Sequence, residues 1–431
     1  MSALAATFAE KVIAEHAGRQ RVEPGEIVGA RVDLVVCDEL SFPDVITEFE
    51  QLGAERVFDG GRVLVVADHE TPAPSIEAAN RMAETRRFCA SQAITNLLDA
   101  GTAGIMHVVI PERGLAAPGE LICGYDSHML TAGGLGALGV GVGATDTAVA
   151  LAFGEIWLRV PESVQVRLRG VPSRWAAPKD VALWVCSTLG QDACLYRSLE
   201  WTGPYVERLE LEGRFTLANM SIEVGAKTAA VEPDRAVEAY ARARARRNFE
   251  PLWSDEGAEF AHVHELDVEG LGPLVALPHS PERSVPVAEA AGARLDQVFI
   301  GTCTNGRLGD LRAAAEVLHG RQVHPATRLL VFPGSPDVYR AALAEGLIET
   351  LAEAGALVGP AGCGPCAGIH LGLLADGEVG LATSSRNFPG RMGGGLSELY
   401  LSGPAVAAAS AVAGCIASPD DVVVGSSVGV A

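Results

Sequence analysis

Basic charge is scarce in this sequence. Against 54 Asp and Glu stand 33 Lys and Arg, a formal net charge of −21 over 431 residues. Only Lys11, Lys179 and Lys227 are lysines. Nucleic-acid binding needs a basic stripe, so that class is not expected here. A small anionic substrate stays open, because a few arginines on one loop make a local positive site on an acidic protein. Cysteine is sparse too: nine in a chain this long do not make a disulfide scaffold and suit a metal or redox site in a reducing compartment. The N-terminus shows no secretion signal, since Glu10 and Lys11 interrupt its apolar stretch. The segment from Leu130 to Leu158 imitates a membrane span but is glycine-rich and broken by Asp146 and Glu155. A soluble, cytoplasmic chain with no membrane partner is expected. Two nucleotide-loop look-alikes are incomplete. Gly139 to Gly143 lacks Gly-x-Gly-x-x-Gly spacing, and Pro333-Gly334-Ser335-Pro336 lacks the Walker lysine.

What is present is a globular composition, 48% hydrophobic and 20% charged, long enough for two or three domains. Apolar runs and helical periodicity alternate. Strands are expected at Ile27–Val36, Arg62–Ala67, Ile105–Ile110 and Leu121–Cys123. Helices are expected at residues 4–17, Asp44–Gly53, Ser75–Cys89 and Thr145–Trp157. After a change of texture near Val164 and a Pro/His/Ser-rich linker at Pro273–Pro286, alternation restarts with a strand at Gln297–Ile300 and a helix at Leu308–Leu318. This pattern implies an α/β chain with mostly parallel sheets, which place their sites at the carboxyl ends of strands.

Three groups of residues carry chemistry. Cys303 lies in Gly301-Thr302-Cys303-Thr304-Asn305 after a strand, and Cys363 and Cys366 form Gly362-Cys363-Gly364-Pro365-Cys366. Thiolates are soft ligands that select zinc, copper(I) or iron–sulfur, and a structural zinc site would need a fourth ligand. A redox pair is the competing reading of the Cys-x-x-Cys, but it leaves Cys303 unexplained. The other six cysteines lie mostly in apolar runs and read as buried thiols, with Cys37 at a strand end the one to watch. Asp68-His69, His107 and Asp126-Ser127-His128 sit in or after strands. A carboxylate beside an imidazole fixes its tautomer and suits acid–base work near neutral pH. Finally, Arg386 and Arg391 flank a Pro-Gly turn in Ser385-Arg386-Asn387-Phe388-Pro389-Gly390-Arg391, an arrangement suited to bidentate carboxylate capture.

With these motifs in view, the sequence resembles the aconitase superfamily, and within it the large subunits of the isopropylmalate dehydratase and homoaconitase group. The resemblance runs from Ala9-Glu10-Lys11-Val12-Ile13-Ala14 through Asn219-Met220-Ser221-Ile222-Glu223 to Ser402-Gly403-Pro404-Ala405. It implies a three-domain α/β architecture (1–159, 160–284 and 285–431) with parallel and mixed sheets flanked by helices and a cluster in the cleft between domains. It implies a [4Fe–4S] cluster on Cys303, Cys363 and Cys366 whose fourth iron lacks a protein ligand. The activity implied is that of a hydro-lyase on a 2- or 3-hydroxy polycarboxylic acid. His69, supported by Asp68, would protonate the leaving hydroxyl. Asp126 with His107, and Glu223 with His128, would form acid–His pairs. Ser127, Asn219 and Asn305 would lie near the substrate, and Arg386 and Arg391 would hold its carboxylates.

Two features qualify that picture. No Gly-Ser-Ser-Arg of a swivelling domain is present, so a separate small subunit is expected to complete the enzyme. The family's usual residues are replaced at Cys37-Asp38-Glu39-Leu40-Ser41, Asp44, Tyr125, Met129, Ala132 and Ser385. These departures point to an altered substrate within the same class. A non-catalytic iron or redox sensor is the alternative, opposed by the intact acid–His pairs.

Overall fold

The computed structural model describes residues 5–423. The chain forms two compact units. The first contains the residues up to Thr102, with Val109–Gly170 and Gln191–Asp267; the second contains Ala103–Val108, Val171–Gly190 and the chain from Val268 onward.

In the first unit, a five-stranded parallel sheet runs in the order Asn96–Leu98, Val63–Val66, Leu34–Asp38, Leu121–Gly124, Leu138–Gly141. Every residue of its three central strands is buried, as expected of parallel strands covered on both faces. Helices Phe8–His16, Phe42–Gln51 and Ala144–Phe153 contribute Phe8, Val12, Ile13, Val45, Phe49 and Leu151 to the core. Phe88, on helix Ile76–Ser91, meets Phe42 and Phe49 edge-on at 5.4 and 5.6 Å. A second sheet, also parallel, is ordered Thr228–Val231, Ser198–Thr202, Ser163–Arg169, His262–Asp267.

The second unit is built on a seven-stranded mixed sheet, ordered Ser284–Pro286, Leu274–Ala276, Glu398–Ser402, Val379–Ala382, Gln297–Ile300, Arg328–Val331, Leu357–Val358. Its last five strands are parallel. From Gln297–Ile300 the chain adds strands on one side, then returns to add Val379–Ala382 on the other. That reversal makes a topological switch point, where open α/β sheets bind ligands.

Four elements differ from the sequence expectation. Pro273–Pro286 is no linker: it contains strands Leu274–Ala276 and Ser284–Pro286, which pair with each other at one edge of the seven-stranded sheet. Ile27–Val36 is two strands in two sheets: Ile27–Arg31 pairs antiparallel with Glu155–Arg159, and Leu34–Asp38 joins the five-stranded sheet. Ile105–Ile110 is no strand but part of helix Met106–Glu112. A short run buried on all sides has no period that separates the two states. The helix expected over Thr145–Trp157 stops at Phe153, because Gly154 adopts φ +71° and caps it in the left-handed conformation.

Candidate active site

Strand ends supply the distinctive side chains in both units. In the first unit, the chain leaves strand Val63–Val66 and reaches Asp68, whose carboxylate lies 2.7 Å from His69 Nδ1. That contact places a proton on Nδ1 and fixes the ring orientation. The adjacent strand ends at Asp38, followed by Glu39. Glu39 accepts the amide N–H groups of Asp68 and His69, each at 2.9 Å, and of Glu70. One buried carboxylate therefore pins three successive amides of the His69 turn. Glu70 is held in turn by Arg81 at 2.7 Å. Asp38 accepts the Ser41 amide at 2.8 Å and hydroxyl at 2.6 Å.

Oxygen and nitrogen atoms of Asp38, Glu39 and His69 all lie within 4.8 Å of one another. Crowding of these groups shifts their titration. Burial works to lower the His69 pKa, but the charge and hydrogen bond of Asp68, with Asp38 and Glu39 behind them, raise it well above its ordinary value. Burial and the charge of Asp68 push Glu39 up to about 7. Burial also raises Asp38. The raised imidazole favours its protonated form, the form a general acid needs. With Glu39 spent on three amides and His69 Nδ1 on Asp68, a proton network describes these residues better than a cation site.

A second imidazole sits past strand Leu121–Gly124. Asp126 caps the 3₁₀ helix Ser127–Leu135 by accepting the His128 amide at 2.6 Å. The His128 ring lies between two carboxylates, with Nδ1 3.6 Å from Asp126 and Nε2 3.7 Å from Glu223. These are ion-pair separations, longer than hydrogen bonds. Glu223 is on the 3₁₀ turn Ser221–Val224 that follows helix Leu211–Met220. Asn219, on that helix, donates to Thr131 Oγ1 at 2.9 Å, and Thr131 donates to the His128 carbonyl at 2.6 Å. Asn219 thus supports the His128 helix from behind. Ser127 is exposed.

The second unit carries the thiols and guanidiniums. Cys303 lies on the short helix Thr302–Asn305 directly after strand Gln297–Ile300, and Thr302 there has φ +82°, rare for a β-branched residue. Cys363 precedes the 3₁₀ turn Gly364–Ala367, which contains Cys366. The Phe332 ring packs so closely on this loop that a Cβ at Gly359 would lie 2.4 Å from it and one at Gly364 3.1 Å. Only glycine permits the approach. Cys363 and Cys366 are buried and Cys303 half-buried; none of the three is in a disulfide. Arg391 Nη2 is 3.5 Å from Cys366 Sγ, and its guanidinium lies 5.7 Å from the Phe388 ring centroid. Arg386 and Arg391 are both half-buried on the loop after strand Val379–Ala382. Asn305 donates to Asp310 at 2.8 Å, while its Oδ1 is buried with no hydrogen-bond partner. His107 belongs to this unit, on a helix instead of a strand. Its carbonyl accepts from Arg307 Nη2 at 3.4 Å, and Arg307 Nη1 donates to the Cys303 carbonyl at 2.8 Å.

Glu39 and Arg307 were not singled out in the sequence as site residues. Arg307 stands in the Gly-Thr-Cys-Thr-Asn-Gly-Arg run, and Glu39 in the segment that departs from the family; a strand end beside Asp68-His69 was the available signal. Cys37 is a core residue 1% exposed, its thiol raised well above the ordinary value by burial and by Asp38. Burial likewise pushes Cys89 and Cys123 up to about 12 and Cys194 to about 11. Cys415 is only half-buried. Asp44 is exposed on the first turn of helix Phe42–Gln51, whereas Ser385 is buried.

Comparison with known proteins gives this geometry a context. A model of the aconitase family (aconitate hydratase) matches residues 10–294 and 288–414. The chain is 48% identical to the 3-isopropylmalate dehydratase large subunit 1 of Pyrococcus furiosus, over 97% of this chain and 99% of that one. It is also 48% identical to the 3-isopropylmalate dehydratase large subunit of Moorella thermoacetica, with the same coverage. Among solved structures, aconitase X of Thermococcus kodakaraensis is similar with a TM-score of 0.47 and 15% identity, covering 88% of this chain and 89% of that one. Matched by the family model along most of its length, and by large-subunit relatives almost end to end, the chain belongs to the aconitase family as the large subunit of a hydro-lyase.

Proposed function

We propose that this large subunit, joined by a separate small subunit, removes and re-adds water on an alkyl-substituted malate, with 3-isopropylmalate as the first probe. The relatives' printed substrate supports the choice. The observation that carries the mechanism is the 2.7 Å contact between Asp68 and His69 Nδ1, inside a turn pinned by Glu39. In dehydration, His69 Nε2 delivers a proton to the departing hydroxyl, which leaves as water. The base that removes the carbon-bound proton is assigned to the small subunit. In hydration, the same imidazole takes the proton back. Asp68 holds the ring, and its charge stabilises the imidazolium. His128, set between Asp126 and Glu223 in the first unit, and His107 in the second are the remaining acid–base residues.

The second unit's residues fit a three-thiolate [4Fe–4S] site. Cys303, Cys363 and Cys366 are in no disulfide and lie on segments that follow parallel strands of one sheet. A guanidinium N–H reaches Cys366 Sγ, and Asn305 Oδ1 is buried without a partner. When bound, the cluster supplies Lewis acidity at an iron that no cysteine holds. Arg386 and Arg391 bind the substrate carboxylates, and Asn305 Oδ1 accepts from a substrate hydroxyl. A cytoplasmic location belongs to this reading, supported by nine cysteines none of which is in a disulfide. Among the described residues no helix is long and apolar enough to cross a membrane. The sensor alternative is not favoured, because the relatives are dehydratase subunits.

The test is anaerobic co-purification with the small subunit, followed by assay on 3-isopropylmalate, citrate, homocitrate and dimethylmalate. Turnover of an alkylmalate supports the proposal. A brown complex active on none of the four would refute it. Preference for a member other than 3-isopropylmalate would identify the altered substrate that the sequence departures suggest.

A further inference from the structure

Lys179 is one of three lysines in the chain and is 0% exposed. It is the second residue of helix Pro178–Leu189 in the second unit. A buried ammonium persists only where polar groups replace its water. Here Nζ donates to the Ser384 carbonyl, and to the Thr383 carbonyl at 3.3 Å. Both carbonyls lie on the segment that leads directly into Arg386.

Thr383 ties that segment to the cysteine turn. Its hydroxyl accepts the Gly301 amide at 3.0 Å and donates to the Gly301 carbonyl at 2.9 Å. The Thr302 hydroxyl donates to the Thr383 carbonyl at 3.3 Å. Thr302 is the residue held at φ +82°, next to Cys303. The Thr383 carbonyl therefore receives the ammonium and the Thr302 hydroxyl together. Neighbouring Asp180 spends its two oxygens on the Ala177 and Leu274 amides, each at 2.7 Å, which fixes the helix start that carries Lys179.

We propose that Lys179 is a positioning residue for the reaction. Its ammonium clamps the Thr383 and Ser384 carbonyls, and so sets both the arginine arm that captures carboxylates and, through Thr302, the turn that carries Cys303. The proposal rests on the function given above. Its distinguishing consequence is that one buried cation alters substrate affinity and the environment of the cluster together, although it touches neither.

The experiment uses the cluster-loaded complex with the small subunit and the variants Lys179→Met, Lys179→Arg and Thr383→Val. In Lys179→Met, KM for the alkylmalate rises by about tenfold or more with a smaller change in kcat, since small displacements of binding groups cost one to two orders of magnitude. The low-temperature EPR spectrum of the cluster shifts, and Lys179→Arg restores part of both. Thr383→Val introduces no buried-charge problem and tests the same link should Lys179→Met fail to fold; it raises KM and shifts the spectrum in the same direction. Unchanged KM and an unchanged spectrum in Thr383→Val, or in a folded Lys179→Met, would overturn the proposal. A wild-type complex that carries its cluster but turns over no alkylmalate would instead defeat the functional reading, and the spectra would still report on the clamp.

Discussion

The two compact units place their chemistry in the same way but tune it differently. In the first, loops after parallel strands carry carboxylates and imidazoles: Asp38, Glu39, Asp68 and His69 past two adjacent strands, and Asp126 and His128 past a third. In the second, the corresponding loops carry thiols and guanidiniums: Cys303, then Cys363 and Cys366, then Arg386 and Arg391. The first set is tuned by charge upon charge. Against the lowering effect of burial, three neighbouring carboxylates raise His69 well above its usual pKa, and burial with the charge of Asp68 brings Glu39 to about 7. The second set is tuned by backbone: glycines under the Phe332 ring, a β-branched residue at φ +82°, and carbonyls clamped by a buried lysine. Proton chemistry needs groups that titrate near the working pH, whereas a metal cluster and a polyanion need donors held in place.

The sharpest way to break this division is to remove a thiol. Cys363→Ser is expected to abolish the broad visible absorption of the anaerobic protein and all turnover; a colourless wild type with stoichiometric zinc would overturn the cluster assignment. Next in size is His69→Asn, which should lower kcat by about 10²–10⁴-fold, the range typical of a lost general acid, while leaving iron content unchanged. Glu39→Gln comes third. It weakens the anchorage of three amides and removes a charge that raises His69, so kcat should fall by roughly tenfold. In the proposed mechanism dehydration needs protonated His69, so the rate should decline as pH rises through its elevated pKa. In Glu39→Gln that decline should move to lower pH, and a pH–rate profile reads the shift.

The smallest effect on turnover is expected outside the site, where the change is in stability. Glu200 is 0% exposed and accepts from Ser254 Oγ at 2.8 Å and the Phe8 amide at 3.2 Å. Burial raises it from 4.5 to about 7. A carboxyl raised on folding gives stability that is complete below the unfolded pKa and is lost as pH rises through the folded one. Between pH 4.5 and about 7 the native protein should therefore lose on the order of 3 kcal/mol relative to Glu200→Gln. Melting curves at pH 5 and pH 8 check this: the variant should gain several degrees at pH 8 and little at pH 5.

Much of the arrangement was legible in the sequence, for reasons that can be located. Runs such as Val63–Val66 and Leu121–Gly124 announced buried parallel strands, and the polar residues directly after them were the site candidates. Motifs brought Cys303, Cys363 and Cys366 together as one set, and the structure puts all three on short turns that follow strands of one sheet. Helix Met106–Glu112 was misread because its apolar residues are buried all round and leave no amphipathic stripe. Glu39, Lys179, Thr383 and Arg307 received no role from the sequence because they act largely through backbone groups of residues distant in sequence. Lys179 meets carbonyls 204 and 205 residues away. No local spacing encodes such contacts.

The most direct test of the division of labour is the His69→Asn complex, loaded with cluster and mixed with the alkylmalate that the wild type turns over. The account predicts that substrate still perturbs the cluster's EPR spectrum with near-normal affinity, while turnover falls by at least about 10²-fold. Turnover within a few-fold of wild type, or loss of the substrate-induced spectral change, would contradict it.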